Sequence, residues 1–426
     1  MSSEVHALAA FRVRSFRFQW PADLLTQCAF EMETLILGWF VMVNTGSVLL
    51  LTAFGSLQFL GTLAAPMFGV MGDALGGRVM LCAMRSVYAV LAALVMVLAL
   101  SGLLTPIWVF VIAGLVGLVR PSDQVLRNSL IGETIPPGDL IGALSLSRAS
   151  VDSARVAGAL TGAGLSTILG LGYAYVVVTA VYVASLALTF GISGTRLMDD
   201  PGAVIRGSFI LRASTWRDLK DGLVHVLTTP TLLALMWLAF LVNLTAYPVT
   251  SGLLPYVARN VYMVDATGLG WLAASFSLGG LVGSITMVMT GGPRRAERSM
   301  LVNTVIWYAL LLAFGHVPGM KAAVPTLLVA GVVQSMAMIS MTGTLLAVAG
   351  ERFRARVMGV RMLVVYGMTV GLIGSGALIE RVGYSMTISI FCGVGLLFTL
   401  LIGIRWRDSM WQRKPAFPTA PPSIAS

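Results

Sequence analysis

The chain has 426 residues, of which 57% are hydrophobic and only 11% charged, and its mean hydropathy is +0.88. An ordinary soluble protein has about one quarter charged residues. This composition therefore excludes a soluble enzyme, a disordered chain and a disulfide-rich scaffold, and it indicates a protein surrounded by lipid. The formal net charge is +10, but the basic residues are spread over many short segments. That spread favours contact with anionic lipid over a patch that binds nucleic acid.

Twelve apolar stretches are long enough to cross a bilayer, which takes about 20 residues for each helix. These predicted spans, numbered one to twelve, are residues 22–43, 48–71, 79–100, 106–126, 145–168, 173–192, 231–257, 268–290, 300–316, 324–350, 357–379 and 384–404. The segments around them are alternately rich and poor in Lys and Arg, and only Arg259, Lys321 and Arg381 fall on the poor side. The positive-inside rule makes the rich side cytoplasmic, so both termini are expected in the cytoplasm.

The chain repeats itself at about half its length. Arg78 and Arg295 follow the second and eighth spans, and Gly142 and Gly359 lie at the starts of the fifth and eleventh spans, at one common separation. We therefore predict two parallel copies of a six-span unit, with a site at their interface near the bilayer midplane. The predicted divisions are an N-terminal tail (1–15), a six-helix bundle (16–195), a linker with an amphipathic helix (196–229), a second six-helix bundle (230–404) and a disordered tail (405–426).

The sequence contains no pattern typical of a metal site or a cofactor site. Cys28, Cys82 and Cys392 lie inside apolar runs, the histidines are scattered, and no Cys/His ligand spacing occurs. The HExxH, Gly-x-Ser-x-Gly and phosphate-binding GxxxxGKS/T patterns do not occur either. We therefore expect no metal, no enzymatic active site and no ATP hydrolysis.

The loop 69–78 resembles the signature that the major facilitator superfamily carries between its second and third helices. That signature is Gly, three residues, Asp, a basic residue, any residue, Gly and two basic residues, and its matches here are Gly69, Asp73, Gly76 and Arg78. Ala74 and Gly77 stand where the superfamily has cations. The resemblance implies the major facilitator fold: an all-α membrane protein with twelve transmembrane helices in two pseudo-symmetric six-helix bundles.

Three further stretches are similar to segments of bacterial macrolide efflux pumps and catecholate-siderophore exporters: 218–223 with 229–230, 253–256 and 351–359. The resemblance implies a monomeric, multi-pass transporter of the bacterial inner membrane, with no cofactor and the proton gradient as its energy source. It would export a small amphiphilic compound, such as a drug or siderophore, by alternating access. That branch usually has Gly-Pro in helix five, where this chain has no proline over 155–159. Proton-coupled uptake of a nutrient or metal chelate therefore stays open, as does a sensor or scaffold that does not transport.

Ionisable residues inside span one are the first functional candidates, because each costs at least about 2.5 kcal/mol at mid-membrane unless it is paired or hydrated. Asp23, Gln27 and Glu31 are four residues apart and form one polar stripe with Thr34. First helices of the superfamily line the central cavity, so the resemblance places Glu31 there as a proton-coupling residue. Glu33 is rotated about 200° from Glu31 and is expected to face a neighbouring helix, as a second coupling candidate. A permanent ion pair with an arginine is the structural alternative for both.

Span five supplies Arg148, Asp152 and Arg155 on one helical face. Arg155 is the deepest of the three, and similar exporters often carry an arginine there. It is a partner of Glu31, a clamp for an anionic substrate, or half of a pair with Asp152 that only satisfies both charges. Asp152 and Arg155 therefore join the proton-coupling candidates.

The resemblance also implies a gate at the cytoplasmic end. Its predicted members are Gly69, Asp73, Gly76, Arg78, Arg120, Asp123 and Arg127. Asp73 is expected to pair with Arg78, with Arg127 or with a helix N-terminus in the other half. Pro121 is expected to bend span four near that end.

Polar residues inside the spans are candidates for the substrate cavity, and they are Gln27, Thr34, Asn243, Tyr247 and Gln334. Small residues let helices approach closely in lipid. Glycines are therefore expected to let the two bundles touch and rock against each other, namely Gly158, Gly162 and Gly164 in span five and Gly279, Gly280 and Gly283 in span eight.

Overall fold

The computed structural model describes residues 10–63, 76–135, 140–192, 220–290, 293 and 295–407, and within these ranges the chain is helical and contains no strand. The principal helices are α1 (Arg14–Thr45), α2 (Val48–Leu57), α3 (Gly77–Leu100), α4 (Pro106–Thr134), α5 (Leu140–Thr189), α6 (Pro230–Thr245), α7 (Ala266–Met289), α8 (Ala296–Phe314), α9 (Met320–Val364), α10 (Tyr366–Val382) and α11 (Tyr384–Arg405). Short helical segments at Leu60–Leu63, Pro248–Gly252, Leu254–Tyr256 and Val257–Val261 extend α2 and α6.

Two glycines divide the longest helices. Gly170 in α5 has φ 78° and Gly350 in α9 has φ 68°, a left-handed backbone that side chains other than hydrogen disfavour. Each of these glycines is therefore the point where one span ends and the next begins. α5 supplies spans five and six, while α9 supplies span ten and the start of span eleven, which α10 completes.

Each predicted span has a helical counterpart among the described residues. Nine helical segments there are long and apolar enough to cross a membrane, and one of them, Ser150–Thr189, covers two spans. The shorter Val48–Thr62 and α8 correspond to spans two and nine. The predicted all-α membrane fold with twelve spans is confirmed.

The helices α1–α5 form the N-terminal half of the molecule and α6–α11 form the C-terminal half. The halves meet where α5 packs against α7 and where α2 packs against α10. Gly270 of α7 lies directly against Ala163 of α5, and Gly376 of α10 lies against Thr52 of α2. Small residues therefore do bring the two halves together, at these two crossings.

The glycines that the sequence suggested for this contact do not form it. Gly158 and Gly162 of α5 face α1, and Gly279 and Gly283 of α7 face α9, so each pair packs within its own half. A Cβ added at Gly164 or Gly280 would have no atom within 4 Å. That prediction is wrong, because the spacing of small residues marks a close approach without showing which neighbouring helix approaches.

The two ends of the bundle differ in charge and in contacts. One end, called here the basic end, carries exposed or half-buried arginines at positions 78, 298, 354 and 407. At the opposite end, polar contacts join the two halves: the Ser47 hydroxyl donates to Glu380 Oε1 at 3.1 Å, and the Arg259 guanidinium donates to the carbonyl oxygen of Met42. Gly46, with φ 65°, ends α1 four residues past Met42 and donates its N–H to the same carbonyl oxygen at 3.1 Å.

Candidate functional site

An ion-paired cluster joins α1 and α5 at the middle of the N-terminal half. Arg155 Nε lies 3.5 Å from Glu31 Oε1, and Arg155 Nη1 lies 3.6 Å from Asp152 Oδ1. Gln27, one turn before Glu31, donates its amide to Glu31 Oε1 at 2.8 Å. The approach of the two helices depends on Gly158, since a Cβ there would lie 2.7 Å from Glu31 Cβ. Of the alternatives for Arg155, the structure therefore shows contact with both carboxylates.

This cluster faces the C-terminal half. The Arg155 side chain is 43% exposed and the Glu31 side chain 22% exposed, although both residues lie near the middle of their spans. Arg155 interacts electrostatically with Tyr247 of the other half, and Gln334 donates its amide to the Tyr247 hydroxyl at 2.8 Å. Tyr247 and Gln334 also lie near the middle of their spans. Side chains of both halves thus lie at one level near the middle of the spans.

Arg120 of α4 belongs to the same level rather than to the basic end. Its guanidinium lies 3.0 Å from the ring centre of Phe30 and donates to Gln58 Oε1 at 3.0 Å. It also interacts electrostatically with Glu31 and Arg155. A cation that is stacked on an aromatic ring and bonded to an amide is well fixed. Arg120 therefore adds a positioned positive charge beside the Glu31–Arg155 pair.

Glu33 points away from this cluster, into the core of the N-terminal half. It is 6% exposed and accepts hydrogen bonds from the hydroxyls of Tyr182 at 2.9 Å and Tyr175 at 3.4 Å. Both tyrosines belong to α5, in the part that forms span six. Arg120 interacts electrostatically with Glu33 as well as with Glu31. The two carboxylates of α1 thus lie on opposite sides of their helix with Arg120 near both.

A second buried ionic cluster lies nearer the basic end. Arg85 of α3 is fully buried and bonds to the carboxylate of Asp23 and the hydroxyl of Thr189. In α4, Arg127 Nε lies 3.0 Å from Asp123 Oδ2, and both residues are buried. Asp23 is therefore not part of the polar stripe that the sequence suggested, because it pairs with Arg85 inside the bundle. Arg85 was not among the candidates from the sequence, although its position inside the apolar span 79–100 was a signal.

The predicted gate residues are only partly within the described residues. Gly69 and Asp73 lie outside them. Gly76, with φ 89°, precedes α3, and Arg78 donates to the carbonyl oxygen of Phe190 at 2.7 Å, near the end of span six. Pro121 lies inside α4, which continues to Thr134. The side chain of Arg148 in span five lies outside the described part of the structure.

The other cavity candidates are half-buried. Thr34 follows Glu31 on α1, and Asn243 of α6 donates its amide to the carbonyl oxygen of Ala239 on its own helix at 2.8 Å. Tyr247 packs edge-on against Trp307, with ring centres 5.3 Å apart. Among the described residues no group of three His, Cys, Asp or Glu side chains is placed to hold a metal ion.

Solved structures of transporters share this fold over almost their whole length. An auto-inhibited peptide transporter of the POT family has a TM-score of 0.69 at 12% identity, covering 96% of this chain and 99% of that chain. The nucleoside transporter NupG has a TM-score of 0.67 at 13% identity, covering 94% of this chain and 100% of that chain. A bacterial homologue of the human lysosomal transporter Spinster, in an inward-facing and occupied conformation, has a TM-score of 0.67 at 15% identity. The match covers 94% of this chain and 98% of that chain. Identities this low show the fold alone.

The helical fold and these neighbours show a multi-pass membrane protein with the fold of the major facilitator transporters. The sequence match assigns the chain to one family. Residues 5–423 match the family described as transmembrane secretion effector, and the chain belongs to that family. No curated protein matches the chain by sequence.

Proposed function

We propose that the protein exports a small amphiphilic compound in exchange for protons, by alternating access between its two halves. The observation that carries this proposal is the partly exposed Glu31–Arg155 pair, 3.5 Å apart at mid-span and facing the C-terminal half. We further propose that the protein works as a monomer in the bacterial inner membrane. The positive-inside rule would place the basic end and both termini in the cytoplasm.

Exchange requires that proton and substrate compete for one group. An ionised Glu31 is stabilised by Arg155 and by the amide of Gln27. Protonation removes its charge and leaves Arg155 with Asp152 as its remaining carboxylate neighbour in the cluster. A substrate that carries a cationic group would bind only the ionised Glu31. Bound proton and bound substrate therefore exclude each other, which is the condition for exchange.

The surroundings of the pair favour an amphiphilic substrate. Tyr247, half-buried against Trp307, offers aromatic surface, while Gln334 and Asn243 offer amide groups at the same level. A mostly apolar wall with a few convergent polar groups is typical of small-molecule sites. Under this proposal the gate at the basic end consists of Gly69, Asp73, Gly76, Arg78, Asp123 and Arg127, and its contacts break when that end opens.

Uptake together with protons is the second candidate, and one observation favours it. The exposed guanidinium of Arg155 suits an anionic group on a substrate. Such a substrate would compete with Glu31 for Arg155 and would favour the protonated form of Glu31. Proton and substrate would then bind together, which is the condition for uptake with protons.

The experiment uses purified protein in liposomes with an imposed pH gradient and two fluorescent probes, the cation ethidium and the anion carboxyfluorescein. Exchange predicts that ethidium moves against the proton flow. Movement of carboxyfluorescein with the proton flow would instead establish uptake. If neither probe moves under either gradient and both bind the protein, as a sensor would bind them, the transport proposal is overturned.

A further inference from the structure

The chain segment just before span seven is a short helix that turns away from that span. Residues 220–228 are helical and are called here the linker helix. Thr229 follows with φ −104° and ψ 105°, an extended backbone, and α6 begins at Pro230. Because an extended residue interrupts the helical path, the linker helix does not continue along the axis of α6. Its surroundings therefore differ from those of a membrane-spanning helix.

One face of the linker helix is docked on the junction of spans ten and eleven, at the basic end. The His225 ring stacks on the Phe353 ring, with centres 4.2 Å apart and an angle of 16° between the planes. Asp221 Oδ2 lies 3.5 Å from Arg356 Nη1. A Cβ added at Gly222 would lie 2.8 Å from the carbonyl oxygen of Arg356, so the two backbones approach closely. Ring stacking, an ion pair and close packing therefore fix the linker helix to this junction.

The opposite face of the linker helix is apolar and exposed. Leu223 is 42% exposed, Val224 is 51% exposed and Leu227 is 58% exposed. At about 100° per residue, these three side chains and the exposed Lys220 fall within an arc of about 100°, called here the outer face. The buried Val226 lies outside this arc, on the side of the docked residues. Large apolar side chains gathered on one exposed face indicate a partner that is itself partly apolar.

The position of the outer face favours the headgroup layer of the membrane as that partner. Span seven starts at Pro230, two residues after the linker helix, so the outer face lies near the depth at which hydrocarbon meets water. Helices that lie in this layer combine an apolar face with Lys or Arg. Here Lys220 lies on the outer face, and the exposed Arg354 lies on the junction to which the helix is docked. Positive charge beside exposed apolar side chains suits anionic lipid headgroups.

From these contacts we propose that the outer face binds the anionic surface of the membrane at the basic end. The docked face of the same helix holds the junction of spans ten and eleven, so the linker helix anchors that junction to the membrane surface. This inference goes beyond the proposed function, since a lipid-binding surface serves any substrate and any coupling ion. Two other occupants of the outer face are outcomes of the test: residues of this chain outside the described ranges, and a second copy of the chain.

The first test measures what surrounds the outer face. Single spin labels are placed at Leu223, Val224 and Leu227 of a variant without native cysteines, in nanodiscs of phosphatidylcholine and phosphatidylglycerol. Collisions of each label with oxygen, which concentrates in lipid, are compared with its collisions with a water-soluble nickel complex. Leu397, 55% exposed in α11, is the lipid reference, and Ser101, exposed between α3 and α4, is the water reference. We expect oxygen-to-nickel ratios between those of the two references. A ratio equal to either reference overturns the proposal, and so do labels that neither reagent reaches, because protein then covers the face.

The second test concerns charge and uses the label at Leu227. In the same nanodiscs, Lys220→Gln should lower the ratio of bound to released label about fivefold, the equivalent of about 1 kcal/mol for one cation near an anionic surface. In phosphatidylcholine alone it should leave the ratio unchanged. The matched control is Lys321→Gln, which removes an exposed lysine at the opposite end and should change neither ratio.

Equal ratios for the two lysine variants in the anionic nanodiscs overturn the proposal, and so does an equal fall for Lys220→Gln in phosphatidylcholine alone. Neither test involves transport, so failure of the proposed function appears only in the liposome assay.

Discussion

The contact between α2 and α10 offers a direct perturbation of the conformation seen here. A methyl group added by Gly376→Ala would lie 3.0 Å from Leu49 Cα and closer still to Thr52 Oγ1, so the two helices must separate. On the same helix, a methyl group at Gly374 would meet no atom within 4 Å. Gly374→Ala is therefore the matched control, because both variants gain the same intrinsic helix propensity, about 1 kcal/mol.

The expected magnitude follows from overpacking. Forcing a methyl group into a filled contact costs about 1–3 kcal/mol, and here the cost falls only on conformations in which α2 and α10 are in contact. The population ratio should therefore shift about five- to 150-fold toward conformations in which the halves separate at this crossing. Gly374→Ala should leave the ratio unchanged.

The assay is pulsed electron resonance between spin labels at Asn44 and Arg381, in a variant without native cysteines. Both positions are exposed and flank the Ser47–Glu380 hydrogen bond at the opposite end. Gly376→Ala should convert part of the short-distance population into a longer one. If its distance distribution equals that of Gly374→Ala, the reasoning about this crossing is refuted.

Two further predictions concern buried charges and the opposite end. Arg85→Met leaves Asp23 buried without its cation and should lower the free energy of unfolding by about 3–5 kcal/mol, measured by thermal unfolding in detergent. Adding Asp23→Leu to this variant should restore most of the lost stability. An unchanged melting temperature for Arg85→Met alone would contradict the assignment of this ion pair. Arg259→Gln removes the bond to the Met42 carbonyl and should lengthen the distance between labels at the opposite end, whereas an unaltered distance would show that this contact does not hold the end closed.

The spans were predictable because the surrounding lipid imposes them. A helix that crosses lipid must be apolar over a fixed length, so hydropathy alone locates it, and the divisions at Gly170 and Gly350 coincide with short gaps in that pattern. The opposite directions of Glu31 and Glu33 were predictable as well, because the helical repeat fixes the angle between two side chains of one helix.

The partners of those side chains were not predictable, because they depend on which helices are neighbours. Arg120 was grouped with a gate by its closeness in sequence to Asp123, yet it lies beside Glu31 at mid-span. Arg85 was not among the candidates from the sequence, yet it is fully buried against Asp23. The prediction for the glycines of spans five and eight was wrong for the same reason, since a small residue permits close packing on any adjacent helix.

The central claim is that the ionised and protonated forms of Glu31 select between substrate and proton. The most direct measurement compares Glu31→Gln with Glu297→Gln, whose side chain is half-buried in the first turn of α8, in liposomes that transport ethidium. We predict that the wild type and Glu297→Gln accumulate ethidium in proportion to the imposed pH gradient, while Glu31→Gln only equilibrates it. Accumulation by Glu31→Gln with the gradient dependence of the wild type would contradict the account.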